Sequence, residues 1–481
     1  MKKIILLTLI FGFITYPLFS QNELDALKYS QIFYYGTART MAMGGAFSGL
    51  GTDLSVSATN PAGLAFKKNN EFVISPTFSV NKTKSLFAGN SNEDFNYKFN
   101  FNTVGVLIKN DQIAFGLIYN RLNNFNMAAI IKGVNNKGSM IEYFTDAAQG
   151  TPPESLSPFD TKLAYDTYLI DTLDNPIKYT NPIRAYFGDN PKYGETQKDV
   201  IYQTGGEGET DLFGAYNFKN IMSIGLTIGF LNGTYNFNSE YSEKGFPDSI
   251  ELANFTYNTY NRVEISGINV KMGIMLKPVK FIHLAGAIHS PYFYNLTDNY
   301  QTSLTSNWLT PDDEGNMHYQ EQSSLNVYKY RTTAPWRAIG ALGLIIGKFM
   351  ALDFEYEYAD YSQMRMRADD YTFETENEAI SNNFKAVSNY RGGIELRLNA
   401  IYLRGGYAYY DYPIKNSDNI GIRTLYTGGL GIRTEQFFFD VAMVKTKYNK
   451  SYRFYDGYID EPVPSLSINN TNLIFTLGWN W

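Results

Sequence analysis

Apolar and polar positions alternate with a period of two in run after run of this chain, from about Phe72 to the last residue. At the C-terminus Leu473, Phe475, Leu477, Trp479 and Trp481 share one face of a strand, with Ile474, Thr476, Gly478 and Asn480 on the other. Leu352, Phe354, Tyr356 and Tyr358 alternate in the same way with Asp353, Glu355 and Glu357. So do Ile394, Leu396 and Leu398 with Arg391, Glu395 and Arg397, and Ile401, Leu403 and Tyr407 with Arg404. Such alternation predicts strands with one apolar face. The breaks between them are of two kinds. Short ones fall at Lys109-Asn110-Asp111, Phe218-Lys219-Asn220, Lys277 to Lys280, Gly347-Lys348, Leu398-Asn399-Ala400 and Thr434-Glu435-Gln436. Long polar segments lie between them, near 84–95, 123–200, 243–257, 306–317, 369–384, 413–421 and 454–467. Short turns on one side and long loops on the other predict an all-β, transmembrane antiparallel β-barrel of about fourteen strands.

If the apolar faces meet lipid, the charged faces meet the lumen, because Arg or Lys on the lipid face near the midplane costs ~2 to 4 kcal/mol. Neighbouring strands lie ~4.8 Å apart, so acids at Asp353, Glu355 and Glu357 come within reach of Arg391 and Arg397. With Glu395 and Arg404 these residues are expected to form a lumenal charge network that stiffens the barrel, a selectivity filter being the sharper alternative. The strand holding Ser223, Gly225, Thr227 and Gly229 presents only small residues inward and leaves room there.

Lys2 and Lys3, an apolar run from Ile4 to Phe19 and a small Ser20 predict a signal peptide over 1–20. No later stretch has the ~20 consecutive apolar residues of a membrane helix. Residues 21–69 precede the barrel, assigned to 70–481, and hold Ala42, Gly44, Gly45, Ala46, Ser48, Gly49 and Gly51 in close succession. Helical spacing of Met41, Met43, Phe47 and Leu50 favours a compact plug over a flexible tail. Within the longest polar segment, residues 133–196 are rich in apolar side chains, among them Ile141, Phe144, Leu163 and Ile170. That content suits a lid or binding loop, or one that folds inward over the barrel mouth.

Composition mainly excludes. There is no Cys, so no disulfide, thiolate metal site or cysteine nucleophile is available. Aromatics make up 16 % of the chain, with 39 Tyr and 34 Phe, as strands and interfacial girdles require. A net charge of -6 offers no basic stripe for nucleic acid. His283 and His289 share parity but stand ~20 Å apart along a strand, too far for one metal. The acidic tip Asp312-Asp313-Glu314-Gly315 is read as solvated, with a divalent cation as the alternative. No nucleophile-and-base spacing is present, so neither enzyme nor cofactor is expected.

Ala38-Arg39, Met43-Gly44-Gly45-Ala46-Phe47, Asp53 and Asn60-Pro61-Ala62-Gly63-Leu64-Ala65 resemble the N-terminal hatch signature of FadL-type outer-membrane transporters of long-chain fatty acids and aromatic hydrocarbons. The resemblance implies a hatch-plugged barrel in the outer membrane that carries a hydrophobic small molecule from an external groove to a lumenal pocket. It implies release through the hatch or sideways, beside a kinked third strand. Gly44, Gly45, Asn60, Pro61 and Ala62 are carried over as hatch positions. Gly116, within Ile113–Tyr119, is the candidate kink. Outer-membrane lipid is a second expected partner. A branch of the same family serves type IX protein secretion, so a protein-interaction role in secretion or barrel assembly stands as the alternative.

Overall fold

The alternating runs pair into one antiparallel sheet that closes on itself as a 14-stranded barrel. The structure, a computed structural model, describes residues 22–481 except 174–176, 189, 418–419 and 456–461. The leader expected over 1–20 lies outside the described residues. In chain order the strands are β1 (Glu71–Phe87), β2 (Asn90–Asn110), β3 (Ile113–Asn124, resuming at Met127–Val134), β4 (Thr196–Phe218), β5 (Met222–Lys244) and β6 (Leu252–Val279). Next come β7 (Ile282–His289 and Phe293–Trp308), β8 (Asn326–Thr333 and Arg337–Ile346) and β9 (Met350–Asp360). The last are β10 (Ala386–Leu398), β11 (Ile401–Tyr410), β12 (Arg423–Arg433), β13 (Phe437–Ser451) and β14 (Ser465–Asn480).

Closure is made by β1 against β14, with Glu71 opposite Asn480 and Leu86 opposite Ser465. A closed ladder leaves no edge, the condition under which strands satisfy their backbone groups in lipid. The period-two pattern decides which side chains go where. Leu473, Leu477, Trp479, Trp481, Leu430 and Ile432 are exposed on the outside, whereas Ile474, Thr476 and Asp440 are buried within.

The lumen is occupied by residues 22–66. Helix α1 (Glu23–Ser30) is started by Asn22, whose side chain accepts from the Leu24 and Asp25 amides in a capping box. An extended stretch follows, then the short helix α2 (Ala38–Ala42) and two 3-10 turns, Leu54–Ala58 and Pro61–Phe66. Almost every residue from Ile32 to Ala65 is buried by contact with the inner wall.

Two loop expectations are corrected. Residues 84–95 are not a loop: β1 and β2 run on to a tight hairpin at Ala88-Gly89, both at positive φ (45° and 78°). Residues 127–134 are not loop either but the upper half of β3.

Candidate functional site

The hatch is seated on glycines and hydroxyls of the wall. Asn60 caps its own turn, its Oδ1 accepting from the Ala62 amide at 3.1 Å, while Nδ2 donates to the carbonyls of Ile274 (3.2 Å) and Gly286 (3.3 Å). Pro61 fixes the first position of that turn. On β5, Ser223 donates to the Ala62 carbonyl at 2.7 Å and Thr227 to the Ser57 carbonyl at 3.2 Å. Between them Gly225 lets the Pro61-Ala62 peptide approach so closely that a Cβ there would lie 2.5 Å from the Ala62 nitrogen. The inward-facing small residues of β5 thus make room for the hatch. Gly44 and Gly45 adopt φ of 71° and 80°, which the chain needs to turn against β11 and β12. The Gly44 amide donates to Thr427 Oγ1 at 2.9 Å, and that hydroxyl donates to the Ala42 carbonyl at 2.9 Å.

The charged residues of β8 to β13 form the wall around it. Arg337 reaches Glu357 at 3.0 Å, and Arg391 bridges Glu355 and Glu357. Glu395 receives Arg397 at 2.9 Å, Arg404 at 2.8 Å and hatch residue Arg39. Asp440 receives Arg404 at 2.6 Å and also Arg433. Asp353 differs from expectation: it accepts from the Leu50 amide at 2.6 Å, holding the hatch rather than an arginine. Glu355 likewise accepts from the Ser48 amide at 3.1 Å. Within the hatch, Asp53 accepts from Thr37 Oγ1 at 2.8 Å and Ser55 Oγ at 2.7 Å. Burial pushes its pKa up, but the Arg39 charge and these two hydroxyls together outweigh burial and hold it below the ordinary value.

Around the start of the hatch lies a tyrosine-rich cluster. Tyr29, Ile32 and Tyr34 of the hatch pack with Leu231, Tyr235, Ile265, Tyr292, Tyr294 and Tyr330 of β5 to β8. The hydroxyls of Tyr34, Tyr294 and Tyr330 are buried without a hydrogen-bond partner among the described residues. An apolar lining carrying a few unsatisfied hydroxyls is the surface a mainly hydrophobic molecule with a polar end requires. These tyrosines were legible only as inward-parity aromatics and were not singled out in the sequence.

The segment 135–195 covers the mouth. It carries α3 (Met140–Ala148), α4 (Thr161–Asp166) and α5 (Pro182–Phe187). Ile141, Phe144, Leu163 and Ile170 pack onto the inward side chains Tyr241, Phe255 and Leu304. Ser139 caps α3 and donates to Glu243, which also accepts from the Met140 amide at 2.7 Å. Arg184 ties α5 to α3 through Glu142 (2.5 Å) and Asp146 (2.6 Å). Glu195, where the segment rejoins β4, has its pKa pushed up to about 8 by burial and then by the Glu243 charge. Tyr168, Leu173 and Tyr186 of this segment remain exposed.

The wall is irregular at one seam. β2 and β3 pair only from Asn110 and Ile113 up to Thr103 and Asn120. Beyond, β3 stays on β4 with a register shift between Arg121 and Asn123, breaks at Phe125-Asn126, and resumes with Met127 opposite Gln203. β4 bends with it through Gly205, at φ 114°. Gly116, the candidate kink, is corrected by this register: it pairs regularly with Leu107 and Phe213. The upper part of β3 tucks inward. Met127, Ala129 and Ile131 pack on Phe87, Leu466 and Ile468, and Ser85 donates to the Ile130 carbonyl at 2.6 Å. The edge of β3 that leaves β2 is taken by the hatch, with the Phe33 amide donating to the Leu122 carbonyl (2.9 Å) and the Tyr35 amide to that of Arg121 (3.1 Å). Outside, Lys98 reaches the Tyr202 hydroxyl at 3.1 Å across the seam.

The histidines and the acidic tip have local partners. His289 Nε2 donates to the Thr59 carbonyl at 2.7 Å, as a further hatch contact. Asp312 uses one carboxylate oxygen for the Glu314 and Asn316 amides and the other for Tyr319 and the Asn316 side chain.

No family model and no curated protein matches this sequence. The fold is that of several solved barrels. A Pseudomonas aeruginosa FadL homologue superimposes with a TM-score of 0.57 at 12% identity, over 94% of this chain and 99% of that one. The Pseudomonas putida toluene transporter TodX gives 0.54 at 11%, over 92% and 98%. The Ralstonia pickettii toluene transporter TbuX gives 0.50 at 11%, again over 92% and 98%.

Proposed function

We propose that the chain is an outer-membrane channel for hydrophobic small molecules, captured by the lid, held in the tyrosine chamber and released past the hatch or through the β2–β3 seam. The observation that carries this reading is the coincidence of tyrosine cluster, hatch and seam, the cluster being the proposed chamber. Tyr34, which lines the chamber, stands one residue from Tyr35 and Phe33, whose amides occupy the free edge of β3 at the seam. Movement of this one strap would open the chamber sideways. The solved barrels of the same fold that are described as toluene transporters agree with the substrate class. Capture is driven by burial of apolar surface at ~25 cal/mol per Å², so ligand size sets affinity more than any one residue.

The test is uptake of labelled palmitate and toluene by cells whose outer membrane carries the barrel, compared with a variant lacking residues 22–66. Uptake that depends on the barrel and changes with the hatch is expected. Uptake and bilayer conductance indifferent to the deletion would contradict the proposal. Copurification of a stoichiometric protein partner with an empty chamber would favour a role in secretion or assembly.

A further inference from the structure

Three adjacent strands, β13, β14 and β1, carry on their outward faces a charge asymmetry that the ligand path does not use. Read from the short-turn end, the Cα-paired rows are apolar: Phe437, Trp479 and Phe72; then Phe439, Leu477 and Ile74; then Met443, Leu473 and Phe78. The chemistry then changes within one step. Lys445 opposes Thr471, and Lys447 opposes Asn469, whose other neighbour is Lys82. Lys84 follows two residues on, opposite Ser467.

The positions flanking a central strand are ~10 Å apart, so Lys447 and Lys82 stand on either side of the Asn469 amide with Lys445 and Lys84 at the diagonals. No outward position of these three strands is a carboxylate, although the chain as a whole carries -6. Among the described residues the four lysines have one ion pair, Lys82 with Glu93 of β2 at 2.8 Å. Lys84, Lys445 and Lys447 are exposed. Lys445 lies in the same row as Tyr426 and Tyr407, exposed tyrosines of the kind that mark the end of a barrel's apolar band. Lys84, Lys445 and Lys447, with no ion pair among the described residues and gathered where that band ends, face the depth at which lipid headgroups lie.

We propose that this patch seats the anionic, phosphate-bearing headgroup of an outer-leaflet lipid. Lys84, Lys445 and Lys447 supply the charge, and Asn469 and Thr471 supply neutral hydrogen bonds. The acyl chains run down Met443, Leu473 and Phe78. The inference rests on the barrel spanning a bilayer, as the proposed function requires.

The experiment is native mass spectrometry of the full barrel with lipid A, with its dephosphorylated form and with inorganic phosphate alone. The wild type is compared with the triple variant K84Q/K445Q/K447Q and with a control, K329Q/R331Q/R367Q, that removes as many charges from the opposite side. Each lysine near an anionic surface is worth roughly fivefold, so the triple variant is expected to lose about a hundredfold in lipid A retention. The control variant and the wild type should retain it, and neither dephosphorylated lipid nor free phosphate should bind comparably. Equal retention by the triple variant, or equal binding of dephosphorylated lipid, would overturn the proposal. All three proteins are first inserted into phosphatidylcholine bilayers. Failure of the wild type to insert would overturn the membrane reading itself, whereas insertion without headgroup discrimination overturns the patch alone.

Discussion

Arg39 of the hatch grips Glu395 of β10 through two hydrogen bonds, Nε to Oε2 at 2.8 Å and Nη2 to Oε1 at 2.9 Å, both buried. The planar guanidinium matches the carboxylate, a geometry lysine does not reproduce. Breaking a buried pair from one side costs about 3 to 5 kcal/mol, because the remaining charge is left uncompensated. Arg39→Ala is therefore expected to loosen the hatch, read as more frequent opening in single-channel recordings, with Arg39→Lys intermediate. The double variant with Glu395→Gln should recover little, because Arg397 then loses its partner and Arg404 one of its two.

Wall glycines make a sharper test of how the hatch is seated. A Cβ at Gly273 would fall 2.0 Å from Asn60 Oδ1, whereas one at Gly340 meets nothing within 4 Å. Gly273→Ala should cost about 1 to 3 kcal/mol of overpacking and displace the Asn60-Pro61-Ala62 turn. Gly340→Ala should be silent. Proteolytic release of the hatch measures both.

The lid carries its own pH dependence. Glu195 is raised from 4.5 to about 8, so the folded lid binds a proton that the open lid releases. Its contribution is fully present below about pH 4.5 and is lost as pH rises through about 8. Protection of the 139–148 amides, taken relative to their intrinsic exchange rate at each pH, should fall between about pH 4.5 and 8, and Glu195→Gln should flatten that profile.

The partnerless tyrosines test the proposed ligand chemistry. The hydroxyls of Tyr34, Tyr294 and Tyr330 lack partners, and an unsatisfied buried polar group costs ~1 to 3 kcal/mol. Tyr294→Phe should raise the melting temperature of the empty barrel. It should weaken retention of a fatty acid, whose head can meet the hydroxyl, and leave toluene retention unchanged.

The strands were legible because lipid outside and a wet or packed lumen inside impose strict alternation. The short turns at 109–111, 218–220, 398–400 and 434–436 were therefore placed within a residue or two of the observed ones. Met127–Val134 escaped for the converse reason: it tucks beneath β1, burying side chains of both parities, so Met127-Ala128-Ala129-Ile130-Ile131 shows no alternation. The charge network was readable in membership from parity, but the use of Asp353 was not, since it depends on where the Leu50 amide arrives. Nor could a glycine count locate the seam. Gly116 is a packing glycine under Phe213, while the break falls at Phe125-Asn126, opposite Gly205 of the neighbouring strand.

The central claim, that hydrophobic molecules occupy the tyrosine chamber and leave past the hatch strap, is tested most directly by native mass spectrometry of the barrel from mild detergent. Organic extraction would then identify whatever remains bound, in the wild type and in Leu231→Arg, which places a charge among the chamber's buried side chains. One hydrophobic molecule per barrel in the wild type and none in the variant is the predicted result. A chamber empty in both, in barrels that still move labelled palmitate across a membrane, would contradict it.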